Sequence, residues 1–213
     1  MTILQNTGGL AATNAYLIGD DETREAVLFD APDHTVRPLM DEARRRGWRV
    51  IGLWLTHGHF DHVADHLEVT TPFPEAKVLI HPLDEPKLRQ PNSSVFPLPF
   101  KIPARAPDGL LEDGQQLHIG SLTVRVIFTP GHSPGHVMFH FPSENILVGG
   151  DLIIMGAVGR TDLPDSSISD LNKSIRRVMQ LPSQTQLLPG HGHPSTLGEE
   201  MQSNRYVIET MRG

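Results

Sequence analysis

Four side chains able to bind a metal ion fall within six residues in Thr56-His57-Gly58-His59-Phe60-Asp61-His62. The run follows residues 50–55, a short apolar segment without charge that reads as a buried strand. In an extended loop His57 and His59 are two apart, so both rings point to one side. Asp61 and His62 then come from the turn into the next helix and can face a second ion. A hydrophobic core has no use for such a group, and burying these side chains unpaired and without metal would be costly. Three further segments fit the same centre: Thr129-Pro130-Gly131-His132, Gly149-Gly150-Asp151 and Leu188-Pro189-Gly190-His191. Each puts a ligand-type side chain at the end of an apolar run, after small residues that allow close approach. Singly they are weak signals, because a lone histidine is more often a satisfied core or surface group and a lone aspartate more often a cap. Together they point to one metal-binding centre.

Composition says which atoms must build it. The chain has 213 residues, 12 histidines and no cysteine. That excludes disulfides, thiolate zinc sites, iron–sulfur clusters and a cysteine nucleophile, leaving nitrogen and oxygen ligands. A net charge of −7 disfavours an electrostatic nucleic-acid binder. Hydrophobic residues at 38% and charged residues at 20% suit a globular protein. The length suits a single domain over residues 1–213, large enough for its own core. The start MTILQNTGGL lacks the basic and apolar regions of a signal peptide. The apolar stretch 146–158 is broken by Asp151 and too short to span a bilayer. A cytoplasmic protein without membrane or nucleic-acid partners is expected; oligomeric state is left open.

The elements that must hold these ligands are strands with helices interspersed. Apolar runs 14–18 and 26–30 flank a polar turn at 19–22 and read as a hairpin. Val36, Leu39, Met40 and Ala43 fall at i, i+3, i+4 and i+7, with Pro38 in the first turn and Gly47 beyond the last, which predicts a helix. A strand is expected at 78–80. Seven prolines between 82 and 107 predict a long irregular surface loop. Strands are predicted at 116–119, 122–128, 137–141 and 146–150, joined in two places by tight connections. Ile168, Leu171, Ile175, Val178 and Met179 form one helix face, and 186–188 a short strand. Thr196 and Glu199 form a capping box for a final helix reaching Met211. Two sheets packed face to face with helices outside are expected.

The motif His57-x-His59-x-Asp61-His62, then His132, Gly150-Asp151 and Gly190-His191, resembles the metallo-β-lactamase fold superfamily in residue type and order, over about residues 14–200. The resemblance implies an α/β fold, a four-layer αβ/βα sandwich with a dinuclear centre along one sheet edge. Carried over, His57, His59 and His132 hold the first ion. Asp61, His62 and His191 hold the second, and Asp151 bridges the two; Asp61 is also the catalytic assignment. The cofactor implied is two divalent ions, zinc with iron or manganese as alternatives. Missing cysteine and the bridging aspartate argue against the cysteine-ligand and all-histidine lactamases. The stretches 159–164 (GRTDLP), 188–192 (LPGHG) and 195–200 (STLGEE) are similar to short bacterial glyoxalase II-type, hydroxyacylglutathione hydrolase-like proteins; GRTD is shared with persulfide dioxygenases. Two departures stand out. The chain ends soon after His191, without the helical glutathione-binding domain of longer relatives, and Ser203-Asn204-Arg205-Tyr206 replaces an Asn-Pro-aromatic run.

The expected chemistry follows from charge. Two divalent ions less two carboxylates and a bridging hydroxide leave about +1, and a metal lowers the pKa of its water from about 15.7 to about 7. The implied reaction is attack of that hydroxide on a thioester carbonyl, as in S-lactoylglutathione. A thiol leaving group with a pKa of about 8.5 needs little protonation. A mononuclear iron persulfide dioxygenase and a lactonase of the same fold are the alternatives, and a metal-binding protein without catalysis is a third class. Arg160, nine residues after Asp151, is placed where related enzymes bind a substrate carboxylate, with a salt bridge to Asp162 as the competing role. His193 faces substrate or solvent. Asp30 ends a strand near the centre and suits the orienting of a ligand histidine. His66, His136 and His140 read as supporting residues, and His34, His81 and His118 as surface residues.

Overall fold

The computed structural model describes residues 1–93 and 97–213. Its first sheet comprises β1 (Thr2–Gly8), β2 (Thr13–Asp20), β3 (Glu25–Phe29), β4 (Arg49–Trp54), β5 (Lys77–Ile80) and β6 (Gly109–Leu110), in that spatial order. β1 to β3 run antiparallel and β3 to β6 parallel. The second sheet contains β7 (Gln116–Ile119), β8 (Leu122–Phe128), β9 (Val137–Phe141), β10 (Ile146–Gly150), β13 (Gln186–Pro189) and β14 (Ser195–Thr196), ordered β14-β13-β10-β9-β8-β7. β11 (Ile153–Ile154) and β12 (Ala157–Val158) form a small separate hairpin. The helices are α1 (Val36–Arg46), α2 (Phe60–Val63), α3 (His66–Thr70), α4 (Glu85–Arg89), α5 (Ile168–Val178), α6 (Leu197–Ser203) and α7 (Arg205–Arg212).

Side-chain alternation explains the layers. Tyr16, Ile18, Val27 and Phe29 point inward and meet Val126, Phe139, Phe141 and Val148 of the second sheet. Phe29 makes edge contacts with Trp54, Phe139 and Phe141 at centroid distances of 5.5, 5.0 and 6.0 Å. The alternate residues Leu17, Leu28 and Leu53 face outward onto Val36, Leu39, Met40 and Ala43 of α1. On the other side Met138, Leu147 and Leu187 face Leu171, Ile175 and Val178 of α5. Central strands are therefore covered on both faces, which is why they read as continuous apolar runs. The outcome is the four-layer sandwich expected. Among the described residues, no helix is long and apolar enough to cross a membrane.

The short strands β6, β11, β12 and β14 are not part of the sequence reading, and three larger segments also differ from it. β1 is an additional edge strand, partly polar and half exposed, so its pattern is weak. Within 82–107 the chain forms the short helix α4 with Pro86 in its first turn and a 3₁₀ turn at Pro91–Ser93; residues 94–96 lie outside the described residues. The final helix is two helices, although the Thr196–Glu199 capping box is present. Asn204 breaks it with extended backbone, ψ 108°. Its buried amide binds Glu200 Oε2 at 2.7 Å and the Ala157 carbonyl at 2.8 Å, so a tie to the β11–β12 hairpin outweighs helix continuation.

Candidate metal centre

All four ligand segments follow the C-terminal ends of strands. His57 follows β4, His132 follows β8, Asp151 follows β10 and His191 follows β13. The strand ends converge on two groups of atoms. His59 Nδ1 lies 3.1 Å from His57 Nε2 and 2.9 Å from His132 Nε2. His62 Nε2 lies 3.5 Å from Asp61 Oδ2 and 3.5 Å from Asp151 Oδ1. His191 Nε2 lies 3.5 Å from Asp61 Oδ2 and 3.1 Å from Asp151 Oδ2, which is also 3.5 Å from His132 Nε2. Asp151 thus faces both groups, as a bridging ligand must.

Hydrogen bonds behind the rings decide which nitrogen faces the centre. His62 Nδ1 donates to Asp30 Oδ2 at 2.8 Å, so its Nε2 is the nitrogen turned to the centre. Thr56 donates to the same carboxylate through its N–H and hydroxyl, both at 2.8 Å, and its Oγ1 meets His57 Nδ1 at 3.0 Å. His132 Nδ1 donates to the Arg160 carbonyl at 2.9 Å. Such partners fix tautomer and ring orientation for metal binding. Asp30 holds this position at φ +58°, a region that disfavours non-glycine residues. Thr13 Oγ1 donates to Asp61 Oδ2 at 2.8 Å. His136 Nε2 accepts from the Asp151 N–H at 2.9 Å, so this nitrogen is engaged in orienting Asp151. β2 ties the last ligand in place: Asn14 N–H donates to the Gly190 carbonyl at 2.7 Å, and Tyr16 OH to the Pro189 carbonyl at 2.8 Å. Gly190 must be glycine, since a Cβ there would stand 2.1 Å from Asp151 Oδ1.

The donor set fits two ions. The buried atoms His62 Nε2 and Asp151 Oδ1 have no hydrogen-bond partner among the described residues, an arrangement native interiors avoid unless a water or ion pairs with such atoms. Nitrogen and carboxylate ligands suit zinc, iron or manganese. Burial pushes His57 well below the ordinary histidine range, with the neighbouring His62, His59 and His132 acting the same way. Burial and His132 likewise bring His59 down to about 4. His57 and His59 are therefore held neutral and ready to coordinate. For His62 and His191 burial also opposes charge but is outweighed. The carboxylates of Asp151, Asp61 and Asp30 raise His62 well above its usual value. Hydrogen bonds to Asp151 and Asp61 raise His191 to about 10. Without metal, the second group holds protons where an ion would sit.

A family model described as the metallo-beta-lactamase superfamily matches residues 8–191. The chain belongs to this superfamily. It is similar to hydroxyacylglutathione hydrolase of Rhizobium etli, 31% identical over 175 residues, which cover 82% of this chain and 60% of that protein. Among solved structures it is similar to the BLEG-1 B3 metallo-beta-lactamase, with a TM-score of 0.88 and 32% identity over 97% of this chain and 99% of that one. TTHA1623 in a di-iron-bound form is similar at a TM-score of 0.85 and 34% identity, over 97% of this chain and 100% of the other. The superfamily comprises metal-dependent hydrolases, and the convergent His and Asp groups point to two metal ions in this member.

The superfamily centre forms the floor of a cavity of about 550 Å³. Ala11, Phe60, Pro91, Leu163 and Pro164 contribute apolar wall, and Lys87, Gln90, Arg160 and Asp165 polar groups. Arg160 lines the cavity, but its guanidinium is held by Asp162 through a fork of 2.6 and 2.7 Å. Both roles weighed for this residue therefore bear on one side chain, and its carbonyl serves His132 besides. His193 is exposed and absent from the cavity lining. His66 is buried and meets the Pro103 carbonyl at 2.9 Å, pinning the proline-rich segment. His34 and His118 are exposed as expected. His81 is not a surface residue: it is buried, with its ring stacked on Phe128 at 4.4 Å. Thr13 and Lys87 escaped the sequence reading, since one follows a glycine-rich turn and the other sits among prolines.

Proposed function

We propose that the chain hydrolyses small-molecule thioesters, of which S-lactoylglutathione is one, in the manner of glyoxalase II. The observation that carries this reading is Asp151 facing both ligand groups at the floor of a largely apolar cavity. The ions would supply Lewis acidity and a water made acidic enough to react near neutral pH. The chain's residues do the rest. Asp61 and Asp151 would offset half of the ionic charge, Thr13 fixes the Asp61 carboxylate, and Phe60 and Leu163 wall one side of the cavity. A dedicated acid for the leaving group is not required, because a thiolate leaves with a pKa of about 8.5.

The test is a kinetic panel on zinc-, iron- and manganese-loaded protein, with S-lactoylglutathione, a neutral thioester, a lactone, a β-lactam and glutathione persulfide side by side. Thioesters are expected to give the highest kcat/KM. A β-lactam or lactone turned over faster than every thioester, or oxygen uptake with the persulfide, overturns the reading.

Charge at the cavity makes a second expectation. Lys87 Nζ lies 2.7 Å from Asp165 Oδ2, so a substrate carboxylate seeking Lys87 must displace Asp165. Asp165→Asn is expected to lower KM for S-lactoylglutathione by about two- to fivefold, the range of a partly exposed ion pair. The KM for a thioester of the uncharged thiol N-acetylcysteamine should stay unchanged. Equal shifts for both substrates would show that Lys87 does not read substrate charge.

A further inference from the structure

Asp84 lies directly before α4, and its side chain is fully buried. None of the chemistry above uses it. Its Oδ2 accepts the Gly58 N–H at 2.8 Å and the Ser133 hydroxyl. Its Oδ1 accepts the Gly135 N–H at 2.9 Å and Lys87 Nζ at 3.1 Å. Gly58 stands between His57 and His59. Ser133 and Gly135 follow His132. One carboxylate thus grips both loops that carry the first ligand group, and those loops belong to different sheets.

The glycines record how closely the parts approach. A Cβ on Gly58 would come within 2.8 Å of Lys87 Cβ and 3.0 Å of the Asp84 carbonyl. A Cβ on Gly135 would come within 2.6 Å of Asp84 N and 2.8 Å of Asp84 Cβ. Neither ligand loop can carry a side chain where the start of α4 passes between them. The contact that depends on this clasp is His59 Nδ1 to His132 Nε2 at 2.9 Å, since one ring comes from each loop.

We propose that Asp84 is a positioning residue of the first metal site, holding His59 and His132 at the separation one ion requires. Asparagine cannot replace it. Each carboxylate oxygen accepts one loop N–H, Gly58 at Oδ2 and Gly135 at Oδ1, and an amide offers a single acceptor, so one of the two N–H groups loses its partner. Lys87 also loses its buried counter-charge.

The test titrates metal-free wild type, Asp84→Asn, Ser133→Ala and Asp20→Asn with cobalt(II), following d–d absorption against a competing chelator. Asp20 is the matched control. It is a buried carboxylate at the far end of β2 from Thr13, and it accepts from Ser121 N, Ser121 Oγ and Thr23 Oγ1. Asp84→Asn is expected to weaken one of the two binding steps by about ten- to a hundredfold, the usual effect of losing a ligand-orienting partner, and the other by no more than about threefold. Ser133→Ala removes one of four hydrogen bonds and should weaken the same step by about three- to tenfold. Asp20→Asn should lower the melting temperature and leave both steps at wild-type affinity. If Asp84→Asn fails to fold, Ser133→Ala against Asp20→Asn decides. Wild-type cobalt binding in the Asp84 and Ser133 variants, or equal weakening by Asp20→Asn, overturns the proposal.

Discussion

Asp151→Ala is expected to reduce bound metal from two ions to at most one and to lower kcat by about a thousandfold. The size follows from what one side chain does. Asp151 Oδ1 faces His62, and Oδ2 faces both His132 and His191, so alanine removes a ligand from each group at once. Lewis-acid stabilisation is worth several kcal/mol, and each loss of about 1.4 kcal/mol costs a factor of ten. The histidines that remain lose the charge that organises them, since Asp151 is the strongest influence raising His62. Metal analysis by mass spectrometry with turnover on the best thioester checks both halves. Arg160→Ala is the contrast: its guanidinium is exposed and paired with Asp162, so metal content should not change. Two bound ions with wild-type turnover in Asp151→Ala would remove the bridging role.

The side chains that converge on the candidate centre were legible in the chain because metal chemistry constrains residue type and local spacing together. His57, His59, Asp61 and His62 sit on one turn, and His132, Asp151 and His191 each end an apolar strand. Asp30 was legible for the same reason, as a carboxylate at a strand end. What escaped is held by contacts between distant segments. Thr13 reaches Asp61 across 48 positions, and Asp84 reaches Ser133 across 49. Neither pairing leaves a trace in hydrophobic periodicity, which reports burial against the core and not the partners of a polar group. The break at Asn204 is similar. Helix propensity alone would carry the chain through, and only the buried tie from Asn204 to Glu200 and Ala157 stops it. His81 was misplaced because its stacking partner, Phe128, belongs to the other sheet.

Stability of the metal-free protein should peak near pH 6–7 and fall on both sides, whereas loading with metal should flatten the alkaline side. His62 and His191 are raised, His191 to about 10. Their protonated forms stabilise the fold fully below the unfolded value of 6.5, and that contribution is lost as pH rises toward the folded values. For His191 alone the loss is on the order of a few kcal/mol, completed by about pH 10. Histidines held neutral act in the opposite direction. His57 is lowered, His59 sits at about 4 and His136 at about 3, each chiefly through burial. The unfolded chain takes up these protons first, so stability falls as pH drops below 6.5. Asp61, lowered to about 2 although burial opposes it, adds stability above 3.8 that is lost toward its folded value. Ions bound by Asp61, His62, His191 and Asp151 replace the protons and supply positive charge that does not titrate away. Thermal melting from pH 5 to 10, with and without chelator, reads the difference. Calorimetric titration with metal in buffers of different ionisation enthalpy should show protons released at pH 7.5 as the second ion binds. Parallel alkaline profiles for the loaded and metal-free forms, with no proton release, would mean that His62 and His191 are not held charged by Asp61 and Asp151.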